Sequence, residues 1–332
     1  MRTRRFIIGL SVLLALAACN HPDNDPVETR HGTSLPAIIA SPELSAIDSL
    51  MWRQPDSALV ELLNYLDNDS RDGACTVSTN ETFDNHYAQL LASELLYKND
   101  YAQTNRPALL QAVTYFDSLT FTLNDTPSPK RLIAGSSFRE GGTLSLTRND
   151  NLIFLDARAH YINAVGYYEN DSIEPACAEY LKALDVMEEH FDEKDLVGKK
   201  ARFMTYTYNR LGDMFSLQYM MEPSIVCYND ALSFYLKAPT SPTGVSGILN
   251  MIGIQYDMMG EKDTAMLYYK KAMEALPNTN NLTYRNIISS KALLSYQMSH
   301  DAQSAMRDLN DIVRHTNDEN ERLARYLTMG DI

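Results

Sequence analysis

The sequence predicts an all-α protein, an α-solenoid built from helix–turn–helix repeats. Three observations lead to this prediction: a helical-hairpin pattern between residues 249 and 277, further copies of that pattern, and apolar-striped helical segments before them. Hairpins that repeat along a chain bury their apolar faces against neighbouring repeats rather than around one central core. The 332 residues therefore fit one elongated array better than several globular domains.

The clearest hairpin pattern is LNMIGIQYDMMGEKDTAMLYYKKAMEALP, which ends at Pro277. Gly253 in its first helix and Ala265 and Ala272 in its second are small, so that the two helix axes can approach to about 8 Å where they cross. Gly260 suits the position just after a helix end, where the backbone often adopts the left-handed conformation. Pro277 cannot continue a helix. The stretch therefore predicts two antiparallel helices joined by a tight turn.

The same pattern of small and large residues recurs elsewhere in the chain. Ala164, Gly212 and Gly253 are equivalent small positions, with spacings of 48 and 41 residues. A poorer copy runs through SKALLSYQMSHDAQSAMRDLNDI, with Tyr296 and Ala305. These units resemble the tetratricopeptide repeat, whose period is about 34 residues. The longer spacing here predicts longer helices or longer loops between repeats.

The N-terminus has the features of an export signal. Three arginines precede an apolar run from Phe6 to Ala18, which is too short to span a bilayer. The run ends in Leu16-Ala17-Ala18-Cys19, which resembles the lipobox of bacterial lipoproteins. The resemblance implies that Cys19 is acylated and becomes the first residue of the mature chain. The chain is thus identified as similar to bacterial lipoproteins of the tetratricopeptide-repeat family.

The chain is predicted to divide into six segments. The polar, Pro-rich stretch after Cys19 cannot bury enough apolar surface to order itself, and the prolines and glycines after residue 124 interrupt the helical pattern. The expected segments are a lipoprotein signal peptide at 1–18, a disordered tether at 19–42, helical hairpins at 43–123, a loop or insertion at 124–150, the tetratricopeptide-repeat array at 151–320 and a helical tail at 321–332.

The resemblance also implies where a partner binds. In the family, the first helix of each repeat lines a concave groove that takes a protein or peptide. Carried over to this chain, the expected groove residues are Arg158, Tyr161, Tyr168, Asn209, Asp213, Asn250 and Asp257. Asn209 and Asn250 hold equivalent positions, from which a side-chain amide can bind the backbone of an extended peptide.

Charge and motifs exclude other functions. The net charge of −14 argues against nucleic-acid binding, which needs a basic surface. None of the seven histidines pairs with another at zinc-ligand spacing on one helix face. No Gly-rich phosphate loop or nucleophile elbow appears. The sequence therefore predicts a protein that is not an enzyme and has no catalytic residue, metal site or cofactor.

Three function classes remain open at this level. The preferred one is a lipid-anchored scaffold that binds a protein partner at the cell envelope, with the outer membrane as the expected location. A second is the extracytoplasmic sensory part of a membrane-associated regulator, since such regulators carry similar repeats. A third is glycan binding, as in outer-membrane lipoproteins with these repeats; sugars stack on exposed aromatic rings, and the one Trp of the chain is Trp52.

Overall fold

The computed structural model describes residues 40–69, 79–101, 106–125, 150–277, 281–316 and 318–332. The expected signal peptide, Cys19, most of the expected tether and residues 126–149 of the expected loop lie outside these ranges. The described residues contain thirteen helices and no strand. They are α1 (Pro42–Met51), α2 (Pro55–Asp69), α3 (Thr79–Lys98), α4 (Arg106–Asp125), α5 (Asp150–Tyr168), α6 (Ile173–His190), α7 (Lys199–Leu217), α8 (Met221–Lys237), α9 (Gly244–Met258), α10 (Lys262–Glu274), α11 (Leu282–Ser299), α12 (Ala302–His315) and α13 (Glu319–Gly330).

Consecutive helices pair as hairpins, which confirms the predicted all-α repeat fold of the α-solenoid class. Several bounds differ by a few residues from the predicted segments: α4 ends at Asp125, and α13 begins at Glu319. The chain forms two compact units, Met1–Met187 and Glu188–Ile332. Each has its own apolar core.

The core of the first unit is centred on α3. Leu90, Leu91, Leu95 and Leu96 of this helix are fully buried, and apolar residues of α1, α2, α4 and α5 surround them. Helix α5 is unusual because every residue from Leu152 to His160 is buried, including three charged ones. A helix buried on all sides cannot send its polar side chains to water, so they need partners inside the protein.

The second unit shows why small residues recur. A Cβ atom added to Gly212 in α7 would lie 2.7 Å from the ring of Tyr228 in α8. In the next hairpin, a Cβ atom on Gly253 in α9 would lie 2.6 Å from the ring of Tyr269 in α10. Ser224, which stands where the repeat pattern has Ala, donates its hydroxyl to the carbonyl of Gly212 at 2.8 Å. The expected role of these glycines, close helix approach, is confirmed.

The turns of successive hairpins share one backbone conformation. Asp100, Asp171, Tyr219, Gly260 and His300 each adopt a left-handed conformation, with φ between 55° and 82°. In four of these turns the next residue donates its N–H to the carbonyl five residues earlier, for example Glu261 to Tyr256 at 2.9 Å. This bond satisfies a carbonyl that the helix end leaves unpaired. Gly260 thus closes α9 as predicted.

Tyr219→Gly is expected to raise the free energy of unfolding by about 1 kcal/mol, because a left-handed residue with a Cβ atom is strained. The Tyr219 side chain is 79% exposed, so little packing is lost. Urea unfolding followed by circular dichroism measures the change. Gly260→Ala is the converse substitution and should lower stability by about 1 kcal/mol. Loss of stability in Tyr219→Gly would contradict this view of the turns.

Candidate functional site

The predicted groove residue Arg158 is a structural residue instead. It is 3% exposed in the first unit, and its guanidinium group donates to two carboxylates. Its Nε and Nη2 atoms bind Glu94 of α3 at 2.8 and 2.6 Å, and its Nη1 and Nη2 atoms bind Asp48 of α1 at 2.9 Å each. The expectation that Arg158 faces a partner is wrong, because both edges of its planar group are already occupied.

The two carboxylates compensate the charge of the buried Arg158 guanidinium group. Burial alone would lower the pKa of Arg158, but Asp48 and Glu94 outweigh it and hold the pKa well above its ordinary value. The Tyr87 hydroxyl donates to Asp48 at 2.8 Å, and burial raises the pKa of Tyr87. Three helices, α1, α3 and α5, are therefore joined by one hydrogen-bonded network around Arg158.

The two predicted tyrosines of the first unit differ in environment. Tyr161 is half-buried, and its ring packs edge-on against Tyr180 of α6 with centroids 5.4 Å apart. Tyr168, at the end of α5, is exposed. Of the three predicted residues in this unit, only Tyr168 offers an exposed side chain.

The four predicted residues of the second unit lie on the first helices of two consecutive hairpins. Asn209, Asp213 and Asp257 are half-buried, whereas Asn250 is 7% exposed. The expectation that both asparagines face an open groove is therefore wrong for Asn250, because its side chain is buried inside the protein. Burial raises the pKa of both Asp213 and Asp257. Asp213 also accepts a hydrogen bond of 2.7 Å from the Tyr228 hydroxyl.

One face of α9 carries unsatisfied acceptors. Ser246, Asn250 and Asp257 are four and seven residues apart, a spacing that places them on the same side of a helix. The buried Ser246 Oγ and Asn250 Oδ1 atoms have no hydrogen-bond partner. A buried polar atom without a partner costs about 1–3 kcal/mol. Ser246 is fully buried and Asn250 is 7% exposed, so neither oxygen is open to a bound chain. Of the three side chains on this face, Asp257 is the half-buried one.

A second polar cluster surrounds His160 in the first unit. Its Nδ1 atom lies 2.8 Å from Oε2 of Glu179 in α6, and its Nε2 atom lies 2.9 Å from Oδ1 of Asp117 in α4. Asp156, one turn earlier in α5, has its Oδ1 atom 3.8 Å from Nε2. Asp117, Asp156 and His160 are the one group in the described part of the chain with spacing suited to a metal ion.

The ionisation of this cluster follows from its contacts. Burial alone would lower the pKa of His160, but hydrogen bonds to Asp117 and Glu179 raise it to about 9. Burial would raise the pKa of Glu179, but hydrogen bonds from His160 and Lys182 lower it to about 2. Burial raises the pKa of Asp156 to about 6. In the metal-free protein at neutral pH, His160 is therefore a charged imidazolium between carboxylates.

The stability that His160 supplies should depend on pH. A histidine whose pKa is raised on folding from 6.5 to about 9 stabilises the fold fully below pH 6.5, and this stabilisation is lost as pH rises through 9. The stabilisation that Glu179 supplies is present above pH 4.5 and is lost as pH falls towards 2. The difference in unfolding free energy between the metal-free wild type and His160→Gln should thus be largest between pH 4.5 and 6.5 and shrink towards pH 9. His300→Gln, an exposed control, should show no such trend.

The spacing of the histidines relative to one another gives no indication of this cluster. The signal was present as Asp156 and His160, one helical turn apart in DARAH. The contributions of Asp117 and Glu179 come from other helices, and no spacing in the sequence indicates them.

The aromatic residue behind the glycan hypothesis is partly covered. Trp52 is 41% exposed, but the Lys98 ammonium group lies 4.2 Å from the centroid of its ring. A cation over the ring face occupies the surface on which a sugar would stack. The structure gives Trp52 a cation–π partner, and this leaves less ring surface for a glycan.

No protein-family model matches this sequence, and no curated protein is significantly similar to it. Several solved structures are similar in fold. BtubC (BKLC) from P. vanneervenii is 13% identical, with a TM-score of 0.45 over 82% of this chain and 86% of its own. The Rap conjugation gene regulator of plasmid pLS20, in complex with the Phr* peptide, is 14% identical, with a TM-score of 0.44 over 85% and 71%. A chain of the APC/C hetero-tetramer Cut9–Hcn1 is 12% identical, with a TM-score of 0.40 over 86% of this chain and 51% of its own.

Among the helices described above, none is both long and apolar enough to cross a membrane. The fold class rests on the helical hairpins themselves, with their paired Gly and Tyr residues and their left-handed turns. Fold alone does not fix function. The chain is an all-α protein of tetratricopeptide-like helical hairpins.

Proposed function

We propose that this chain is a lipid-anchored, non-catalytic scaffold of the cell envelope that binds an extended segment of a partner protein. The single observation that carries the proposal is the set of half-buried polar side chains on the first helices of two consecutive hairpins: Asn209 and Asp213 on α7, and Asp257 on α9. Their amide and carboxylate oxygens accept hydrogen bonds. A peptide backbone supplies N–H donors at regular intervals, which is the chemistry these acceptors need.

The charge of the site favours a partner segment rich in donors. Asp213 on α7 and Asp257 on α9 are half-buried carboxylates, and the whole chain has a net charge of −14. Opposite charge on the partner raises the association rate and selects among competing partners. We therefore expect a segment with Lys or Arg side chains beside its backbone donors.

Site-specific photo-crosslinking in intact cells tests the partner site. A crosslinking amino acid at position 209 or 257 should capture one reproducible protein. The same amino acid at Val226 or Lys270, which are exposed on second helices α8 and α10, should not capture it. Equal capture from all four positions, or from none, would overturn the proposed site.

Charge-reversal variants test whether the crosslink reflects specific binding of the partner or only its proximity. Asp257→Lys should reduce crosslinking from position 209, because it repels a basic segment and blocks the α9 face. Glu274→Lys changes the chain's charge by the same amount at an exposed position of α10 and should leave the crosslink unchanged. An equal loss in both variants would show that only overall charge matters.

The anchor is tested separately from the partner site. If Cys19 carries the lipid, Cys19→Ser should move the protein from the membrane fraction to the soluble fraction. Cys75→Ser is the matched control and should leave fractionation unchanged. Acyl chains attached to Cys19 would supply the membrane affinity that an acidic protein surface cannot. Unchanged fractionation of Cys19→Ser would refute lipidation and would leave the proposal for the partner site unaffected.

A further inference from the structure

The His160 cluster has dimensions close to those of a metal site. The ligand atoms of Asp117, Asp156 and His160 all lie within 4.8 Å of one another, and His160 Nε2 lies 2.9 Å from Asp117 Oδ1 and 3.8 Å from Asp156 Oδ1. Ligand atoms that share an ion at bond lengths of 2.0–2.2 Å lie roughly 3–3.5 Å apart. The two distances from Nε2 are therefore close to those that a shared ion requires.

Two buried side chains of the cluster have unused hydrogen-bonding capacity. Asp156 and Thr120 are 1% and 4% exposed, and neither Asp156 Oδ1 nor Thr120 Oγ1 makes a hydrogen bond of ordinary geometry. The Thr120 hydroxyl is near enough to Asp156 to act as a hydrogen-bond donor that lowers the pKa of that carboxyl group. Thr120 and Asp117 are three residues apart on α4 and so share one face of the helix. Both oxygens thus belong to the same small space.

The Nδ1 atom of His160, on the ring edge away from Asp117 and Asp156, has a hydrogen-bond partner of the kind found in metal sites. Glu179 binds the Nδ1 atom at 2.8 Å, which fixes the ring and directs Nε2 towards Asp117 and Asp156. A histidine that binds a metal almost always donates its other ring N–H to a carboxylate, carbonyl or water. Lys182 in turn binds Glu179 at 2.8 Å and holds that carboxylate in place.

The charges of the cluster also fit a divalent cation. Asp117, Asp156 and Glu179 are three carboxylates, and Lys182 neutralises one of them. With a neutral His160, the remaining charge is −2, which a divalent ion balances. An imidazole nitrogen beside carboxylate oxygens suits a transition metal better than Mg²⁺ or Ca²⁺, which prefer oxygen ligands alone.

We propose that Asp117, Asp156 and His160 bind one divalent transition-metal ion, with Zn²⁺ the best fit and Thr120 Oγ1 as an additional oxygen donor. Asp117 is 51% exposed at the side-chain level, so the site is open to solvent on that side. Three protein ligands and an open position leave room for water on the ion. The site is independent of the proposed partner site and departs from the absence of metal that the sequence predicted.

Zinc titration of the full-length, chelator-treated protein by isothermal calorimetry is the direct test. The wild type should bind one Zn²⁺ per chain at this site. Asp117→Asn should weaken that binding at least 100-fold; because Asp117 lies at the surface, this variant should fold normally, as circular dichroism will show. Glu179→Gln keeps an acceptor for His160 but weakens the ring orientation, so we expect a 10–100-fold loss of affinity.

A matched control is present in α12. Asp311 and His315 have the same four-residue spacing as Asp156 and His160, but both are exposed and lie 3.4 Å apart. Asp311→Asn should leave the Zn²⁺ affinity unchanged. The proposal is overturned if the wild type binds no Zn²⁺, or if Asp311→Asn removes the binding while Asp117→Asn retains it. In the first case the cluster is an ion-pair network around a charged His160.

Discussion

Arg158→Met is expected to lower the free energy of unfolding of the first unit by about 3–5 kcal/mol. The substitution keeps most of the side-chain volume but removes the charge between Asp48 and Glu94. Glu94 is buried and Asp48 nearly so, and both would then carry unpaired charge away from water. Urea unfolding followed by the fluorescence of Trp52, which lies next to α1, measures the loss.

Two further variants test the cause of this loss. Arg202→Met removes an exposed arginine in α7 and should change stability by less than about 0.5 kcal/mol. Adding Asp48→Asn and Glu94→Gln to Arg158→Met should restore much of the stability, because the buried charges disappear together. If the single variant loses less than about 1 kcal/mol, the network does not hold α1, α3 and α5 together.

Gly253→Val is expected to destabilise the second unit by about 3 kcal/mol or more, at the upper end of overpacking costs. A Cβ atom at this position lies 2.6 Å from the ring of Tyr269, which is almost completely buried. The backbones of α9 and α10 would have to separate. Thermal and urea unfolding followed by circular dichroism measure the effect.

Gly247→Ala, in the same helix, should have the opposite sign. A Cβ atom at Gly247 meets no atom within 4 Å, so alanine adds helix propensity without a clash. The expected gain is about 0.5–1 kcal/mol. A loss of stability in both variants would mean that general disturbance of α9, rather than its close approach to Tyr269, explains the result.

The sequence predicted correctly those features of the fold that depend on a single residue or its near neighbours. Gly253 and Gly260 mark a close approach and a left-handed turn, and both follow from the missing Cβ atom. The turn at Tyr219 was harder to anticipate, because a tyrosine there works against the conformation that the hairpin imposes.

The binding site could be predicted only in part. Asn209 and Asn250 hold equivalent positions in the repeats, yet one is half-buried and the other 7% exposed. Equivalent sequence positions share a direction on the helix. They do not share a degree of burial, which depends on the length and side chains of the neighbouring helices. The proposed partner site therefore comprises Asn209, Asp213 and Asp257 and leaves out Asn250.

By itself, the sequence determined the helical hairpins, their turns and their small-residue contacts, because periodicity and missing Cβ atoms act over a few residues. Only the tertiary structure decided the roles of the charged residues of α5. Asp156, Arg158 and His160 are buried, and their partners Asp48, Glu94, Asp117 and Glu179 come from four other helices. A buried charged group pairs with an oppositely charged group that lies close to it in the folded protein. The spacing of residues in the sequence does not indicate which groups on different helices come close together.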